Sequence, residues 1–133
     1  MAKANPIRLG LVGLGRAGWG MHCAELAGKE DKFRFVAACD PLAARRERMA
    51  AKYGCRTYER IEDLVADPQV EMVDIATRSL DHFAHASLAL KAGKHVFLEK
   101  PICAKYAEAV RLARLAARSR GKLYIRHNRR NEP

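Results

Sequence analysis

Two stretches of the 133-residue sequence carry residue types that chemistry needs, at spacings that chemistry uses. The first, LVGLGRAG, sets Gly13, Gly15 and Gly18 in G-x-G-x-x-G order. In such a loop the first glycine permits a tight turn and the second lets backbone approach a pyrophosphate. The third lets a helix pack close to a strand. The amides opening that helix, near Arg16 and Ala17, turn partial positive charge toward an anion. The second stretch, HVFLEKPI, runs Val96, Phe97 and Leu98 straight into Glu99, Lys100 and Pro101. A carboxylate and an ammonium this close to a core strand are costly unless something uses them. That cost makes Lys100 a candidate functional group and leaves open what its ammonium faces.

A glycine turn alone says little, but here an acidic residue, Asp40, follows the last glycine by 22 positions at the end of a second apolar run. That conjunction points to a dinucleotide site. A carboxylate there accepts hydrogen bonds from the adenosine ribose and repels a 2′-phosphate, so NAD is favoured and NADP is left open. Arg45 and Arg46 follow closely and could embrace a phosphate or stack on adenine. Their plainer reading is the exposed face of a helix.

The elements that must position these groups alternate. Strands are expected at Ile7–Val12, Phe33–Cys39, Met72–Ala76, His95–Leu98 and Leu123–Arg126, with a weaker one at Arg56–Tyr58. Helices are expected at Ala17–Ala27, Leu42–Tyr53, Ile61–Ala66, His82–Ala92 and Tyr106–Ser119. Gly54, Gly93 and Gly121 stand where helix C-caps belong, and Asp40-Pro41 and Asp67-Pro68 close a strand and a helix. The order reads as an α/β protein: a Rossmann-type doubly wound parallel sheet of about six strands with helices on both faces. Residues 1–133 are expected to form one NAD(P)-binding domain.

Other candidates have plainer explanations. His82 and His85 share a helix face, but two histidines make no metal site, and helix-start capping by Ser79 or Asp81 accounts for the segment. His95 and His127 read as strand-edge residues, with His127 and Asn128 able to approach a nicotinamide. Arg111, Arg114 and Arg118 line one solvated helix face. Ser79, Ser87 and Ser119 lack a nucleophile elbow.

The totals narrow the partners. A net charge of +10 raises nucleic acid binding. The basic residues are dispersed, however, apart from clusters at Arg45, Arg46, Arg48 and at Arg126, Arg129, Arg130, with no aromatic interleaving. Neither nucleic acid nor a membrane is expected as a partner, since no apolar run nears bilayer length. Cys23, Cys39, Cys55 and Cys103 show no metal or redox spacing and no secretion signal precedes them, which suggests reduced thiols in the cytoplasm.

The glycine loop, Asp40, DIAT and AGKHVFLEKP together resemble the Gfo/Idh/MocA oxidoreductases, a family that includes glucose–fructose oxidoreductase and inositol dehydrogenase. The resemblance runs along essentially the whole chain. It implies the N-terminal cofactor domain of an enzyme that moves a hydride between NAD and the CH–OH group of a sugar, inositol or related polyol. The substrate domain, which usually supplies a catalytic histidine and the contacts for homo-oligomers, would lie beyond LYIRHNRRNEP. The chain thus reads as a fragment that alone turns nothing over. A natural truncation, or a stand-alone NAD-holding sensor or scaffold, is the alternative.

Carried over, the resemblance assigns Gly13, Leu14, Gly15, Arg16 and Ala17 to the diphosphate and Asp40 to the ribose, with Arg45 beside them. Ala76 and Thr77 would lie against the cofactor. Glu99 and Lys100 would stand at the nicotinamide end, Lys100 also touching the substrate hydroxyl as an electrostatic clamp or a proton-relay member. The positive nicotinamide would work against the Lys100 charge and Glu99 would work for it. The Lys100–Pro101 bond is a candidate for the cis form. Where the family often has Pro-Asn, this chain has Arg78-Ser79, and Arg78 is open to an acidic substrate, the diphosphate or water. Without its substrate domain, Lys100 is expected to face water.

Overall fold

In the computed structural model, which describes residues 5–126, six strands form one parallel sheet in the order β3-β2-β1-β4-β5-β6. They are β1 Ile7–Val12, β2 Phe33–Cys39, β3 Arg56–Tyr58, β4 Met72–Ile75, β5 His95–Glu99 and β6 Leu123–Arg126. Between them lie α1 Cys23–Leu26, α2 Ala43–Tyr53, α3 Ile61–Val65, α4 His82–Lys91 and α5 Tyr106–Arg118. Strand alternation sends side chains to two cores. Leu9, Leu11, Phe35 and Ala38 pack with Cys23 of α1 and Met49 of α2 on one face. Val12, Val73, Ile75, Val96 and Leu98 pack with Leu64, Leu90 and Leu112 of the other three helices on the opposite face. The strand order reverses between β1 and β4, the place where open α/β sheets bind ligands.

Local chemistry explains the departures from expectation. The first helix begins as a π-helix, Arg16–His22, in which the Cys23 amide reaches back to the Gly18 carbonyl before α1 follows. Gly54 and Gly93 take the left-handed conformation expected of helix ends, with φ of 64° and 78°. Gly121 does not: a Cβ there would collide with the Lys94 carbonyl, so its glycine serves close backbone approach. Neither Ser79 nor Asp81 caps α4 with its side chain. Asp81 instead accepts from Arg78 Nε at 3.3 Å. Glu99 falls inside β5, paired with Arg126 of β6.

Candidate functional site

Gly13 follows β1 with φ of 93°, and Ala76 follows β4 beside it. A Cβ on Gly13 would stand 2.8 Å from the Ala76 carbonyl oxygen, and one on Gly18 would run into the Gly13 carbonyl. These contacts close the loop so tightly that only glycine fits. The cleft outside the strand ends has a volume of about 790 Å³ and is walled by Gly13, Gly15, Arg16, Asp40, Arg45 and Thr77, among others.

Asp40, only 3% exposed, is the post of this cleft. Its Oδ2 accepts from the Leu14 amide at 2.9 Å and its Oδ1 from the Leu42 amide at 2.9 Å. Arg45 Nη1 lies 3.4 Å from Oδ2, and a Cβ on Gly15 would stand 3.3 Å from that same Nη1. Arg45 therefore bridges the glycine turn and the aspartate. Leu14 contributes its backbone, since its side chain is fully buried and its carbonyl accepts from Arg48 Nη2 at 3.0 Å. The Arg48 guanidinium also lies 4.0 Å from the Trp19 ring centroid. Ala17 packs against the core on this side of the sheet.

At the other end of the cleft, Thr77 Oγ1 and His85 Nδ1 are 3.0 Å apart, and burial holds the His85 pKa below its ordinary value. Buried His82 bridges two loops: Nδ1 lies 2.6 Å from the Pro101 carbonyl oxygen and Nε2 3.0 Å from the Thr77 carbonyl oxygen. Cys39 also lines the cleft, but burial pushes its thiol up to about 12, which suits packing and not nucleophilic attack. The Lys100–Pro101 bond is cis.

Glu99 and Lys100 part company. Lys100 is exposed just past β5, its amide donating to the Arg126 carbonyl at 3.2 Å. Neither residue lines the cleft, whose wall on this side stops at Thr77, Arg78, Asp81 and His85. Glu99 Oε2 accepts from His22 Nε2 at 2.6 Å, and Arg126 Nη1 lies 3.0 and 3.2 Å from its two oxygens. His22 Nδ1 in turn sits 2.8 and 2.9 Å from the two oxygens of Asp74. Arg126 also pairs with Glu25. Burial works against the His22 charge, but the two carboxylates outweigh it and raise its pKa. Burial pushes the Asp74 carboxyl up, against the pull of His22. His22, Asp74 and Arg126 escape a motif reading. The available signal was Asp74, a carboxylate inside a central strand, which demands a buried cation. His127 and Asn128 lie outside the described residues.

The glycine cradle, the helix start at Arg16 and the buried Asp40 suit a dinucleotide's diphosphate and ribose. Comparisons agree. A family model described as "oxidoreductase family, NAD-binding Rossmann fold" matches residues 7–127. Inositol 2-dehydrogenase of Rhizobium meliloti is 36% identical over 130 residues, covering 96% of this chain and 38% of that enzyme. A Comamonas testosteroni enzyme, 1-carboxy-3-chloro-3,4-dihydroxycyclo hexa-1,5-diene dehydrogenase, is 34% identical over 92% of this chain and 30% of its own length. Among solved structures, the WlbA dehydrogenase from Bordetella pertussis, in complex with NADH and UDP-GlcNAcA, superposes with a TM-score of 0.88. It is 29% identical, covering 96% of this chain and 39% of that one. Biliverdin reductase from Synechocystis, in complex with biliverdin and NADP+, gives 0.83 at 33% identity over 92% of this chain and 38% of its own. The chain spans about a third of the length of the curated relatives it matches.

Proposed function

The chain belongs to the Gfo/Idh/MocA oxidoreductase family as its NAD-binding Rossmann fold, and we propose that it is the cofactor domain of a dehydrogenase acting on the CH–OH group of a sugar, inositol or related polyol. The observation that carries this reading is the glycine cradle and Asp40 meeting at the reversal of strand order. The nicotinamide cofactor, when bound, accepts or returns the hydride. Gly13, Gly15, Arg16 and Ala17 would hold its diphosphate at the helix start, with the Leu14 backbone completing the turn. Asp40 would receive the adenosine ribose, which favours NAD over NADP. Arg45 would turn from Asp40 toward a phosphate, and Ala76 and Thr77 would flank the cofactor.

Lys100 is assigned the chemistry. Its ammonium would meet the substrate oxygen and stabilise negative charge as the hydroxyl proton leaves. His82, by tying the Thr77 and Pro101 carbonyls together, supports the cofactor wall and the Lys100 loop at once. Within the full-length enzyme, Lys100→Met is expected to lower turnover on the order of a hundredfold. NADH affinity should change by less than about threefold. Full turnover in that variant would refute the catalytic role and favour an NAD-holding module.

Binding itself is testable on this chain. Titration with NADH, read as energy transfer from the single Trp19 to the nicotinamide, should saturate. Asp40→Asn should weaken NADH about tenfold, because a charged acceptor for the ribose is lost, and should narrow the preference over NADPH. A folded chain that shows no transfer at millimolar NADH would sink the reading.

A further inference from the structure

Glu99 and Lys100 are adjacent and oppositely charged at one strand end, where an ion pair between them would neutralise both. The structure sends them apart. The Glu99 side chain is turned into the molecule, where His22 takes one oxygen and the Arg126 guanidinium lies across both. Its side chain is 12% exposed, whereas His22 and Arg126 are 2% and 7% exposed, so all three belong to the interior. Among the described residues the Lys100 ammonium has no carboxylate partner, and its backbone is pinned on either side. Its own amide bonds the Arg126 carbonyl, and the next carbonyl, that of Pro101, bonds His82.

We propose that His22 and Arg126 are positioning residues that sequester Glu99, so that Lys100 alone of that dipeptide presents a charge to the substrate oxygen. An ammonium locked to its neighbouring carboxylate would offer that oxygen a neutralised partner, and breaking the pair would cost energy at each turnover. His22 does this across the fold: the helix that opens at the diphosphate cradle reaches under the sheet, between Asp74 and Glu99, and holds the end of β5. The glycine helix thus acts at both ends of the crevice. The inference rests on the assignment of Lys100 to the substrate oxygen, and its test requires neither cofactor nor turnover.

Competitive acylation of the intact chain with a limiting amine reagent, read by mass spectrometry at Lys100 against exposed Lys91, measures what faces the Lys100 amine. A carboxylate alongside keeps the amine protonated and slows acylation. In Glu99→Gln, Lys100 should label at the parent rate within about twofold, because the carboxylate being removed does not face it. In His22→Gln/Arg126→Met, Glu99 loses both cations, and Lys100 labelling should fall about threefold or more as the carboxylate turns toward it. Adding Glu99→Gln to that pair should restore the rate. Acceleration of Lys100 in Glu99→Gln alone would overturn the proposal, as would an unchanged rate in a folded His22→Gln/Arg126→Met chain. If circular dichroism shows that the double variant does not fold, the single variants His22→Gln and Arg126→Met carry the same test, each expected to slow Lys100 labelling, and unchanged rates in both overturn the proposal. Failure of NADH to bind would count against the cofactor reading and leave this labelling pattern intact.

Discussion

A Gly18→Val chain is expected to lose NADH affinity by at least about a hundredfold and to melt about 10 °C below the parent. The reason lies in one contact. A Cβ at position 18 would collide with the Gly13 carbonyl oxygen, stand 3.0 Å from its carbon and come within 3.5 Å of the Ala76 Cβ. The loop cannot give way, because Gly13 is already at φ of 93° and wedged against the Ala76 carbonyl. Valine must therefore push the helix start away from the turn. The amides around Arg16 then no longer aim at one point, and the diphosphate loses both its hydrogen bonds and the helix dipole. Overpacking of this kind costs up to about 3 kcal/mol in stability. Gly20 is the control: a Cβ there meets nothing within 4 Å, so Gly20→Ala should bind NADH as the parent does. Equal NADH affinity in parent and Gly18→Val would show that the diphosphate does not sit on this turn.

Why the glycine cradle was legible and the His22 network was not is a matter of range. The cradle is local: Gly13 and Gly18 are five residues apart, and their conformations follow from that spacing. Asp40 was legible because strand lengths carry it to a predictable end, although its grip on the Leu14 and Leu42 amides was not foreseen. His22 gives no such signal. Its partners lie 52 and 77 residues away, and it closes a π-helical segment whose winding no residue pattern announces. Periodicity also misplaced Glu99, since only its pairing with Arg126 draws it into β5. The resemblance places Glu99 at the nicotinamide end, and three long-range contacts turn its side chain into the interior. The parallel sheet with helices on both faces needed no such contacts, because alternating strands and helices leave few other ways to cover it.

Replacing His22 with Phe is expected to cost about 3–5 kcal/mol, because two carboxylates would remain buried without their shared cation. For a domain of this size that is a fifth or more of a total near 5–15 kcal/mol. Urea titration would show the loss as a lower midpoint, and adding Asp74→Leu should recover part of it by removing one stranded charge. The pH dependence separates this from ordinary repacking. His22 faces Asp74 from β4, Glu99 from β5 and the edge of the Phe97 ring, with Arg126 and Glu25 beyond Glu99. Its pKa is raised above 6.5, so the folded state holds the proton more tightly than the unfolded chain. The stability this confers is fully present below about pH 6.5 and is lost as pH rises through the folded value. Asp74 and Glu99 titrate in contact with His22 and would shift once it is gone, so the informative comparison is with His22→Phe/Asp74→Leu/Glu99→Gln, from which those carboxylates are absent too. The parent's advantage over that triple variant should shrink between pH 6 and pH 9. An advantage that stays constant across that range would mean that His22 acts by shape alone, with its imidazolium carrying no share of the network's stability.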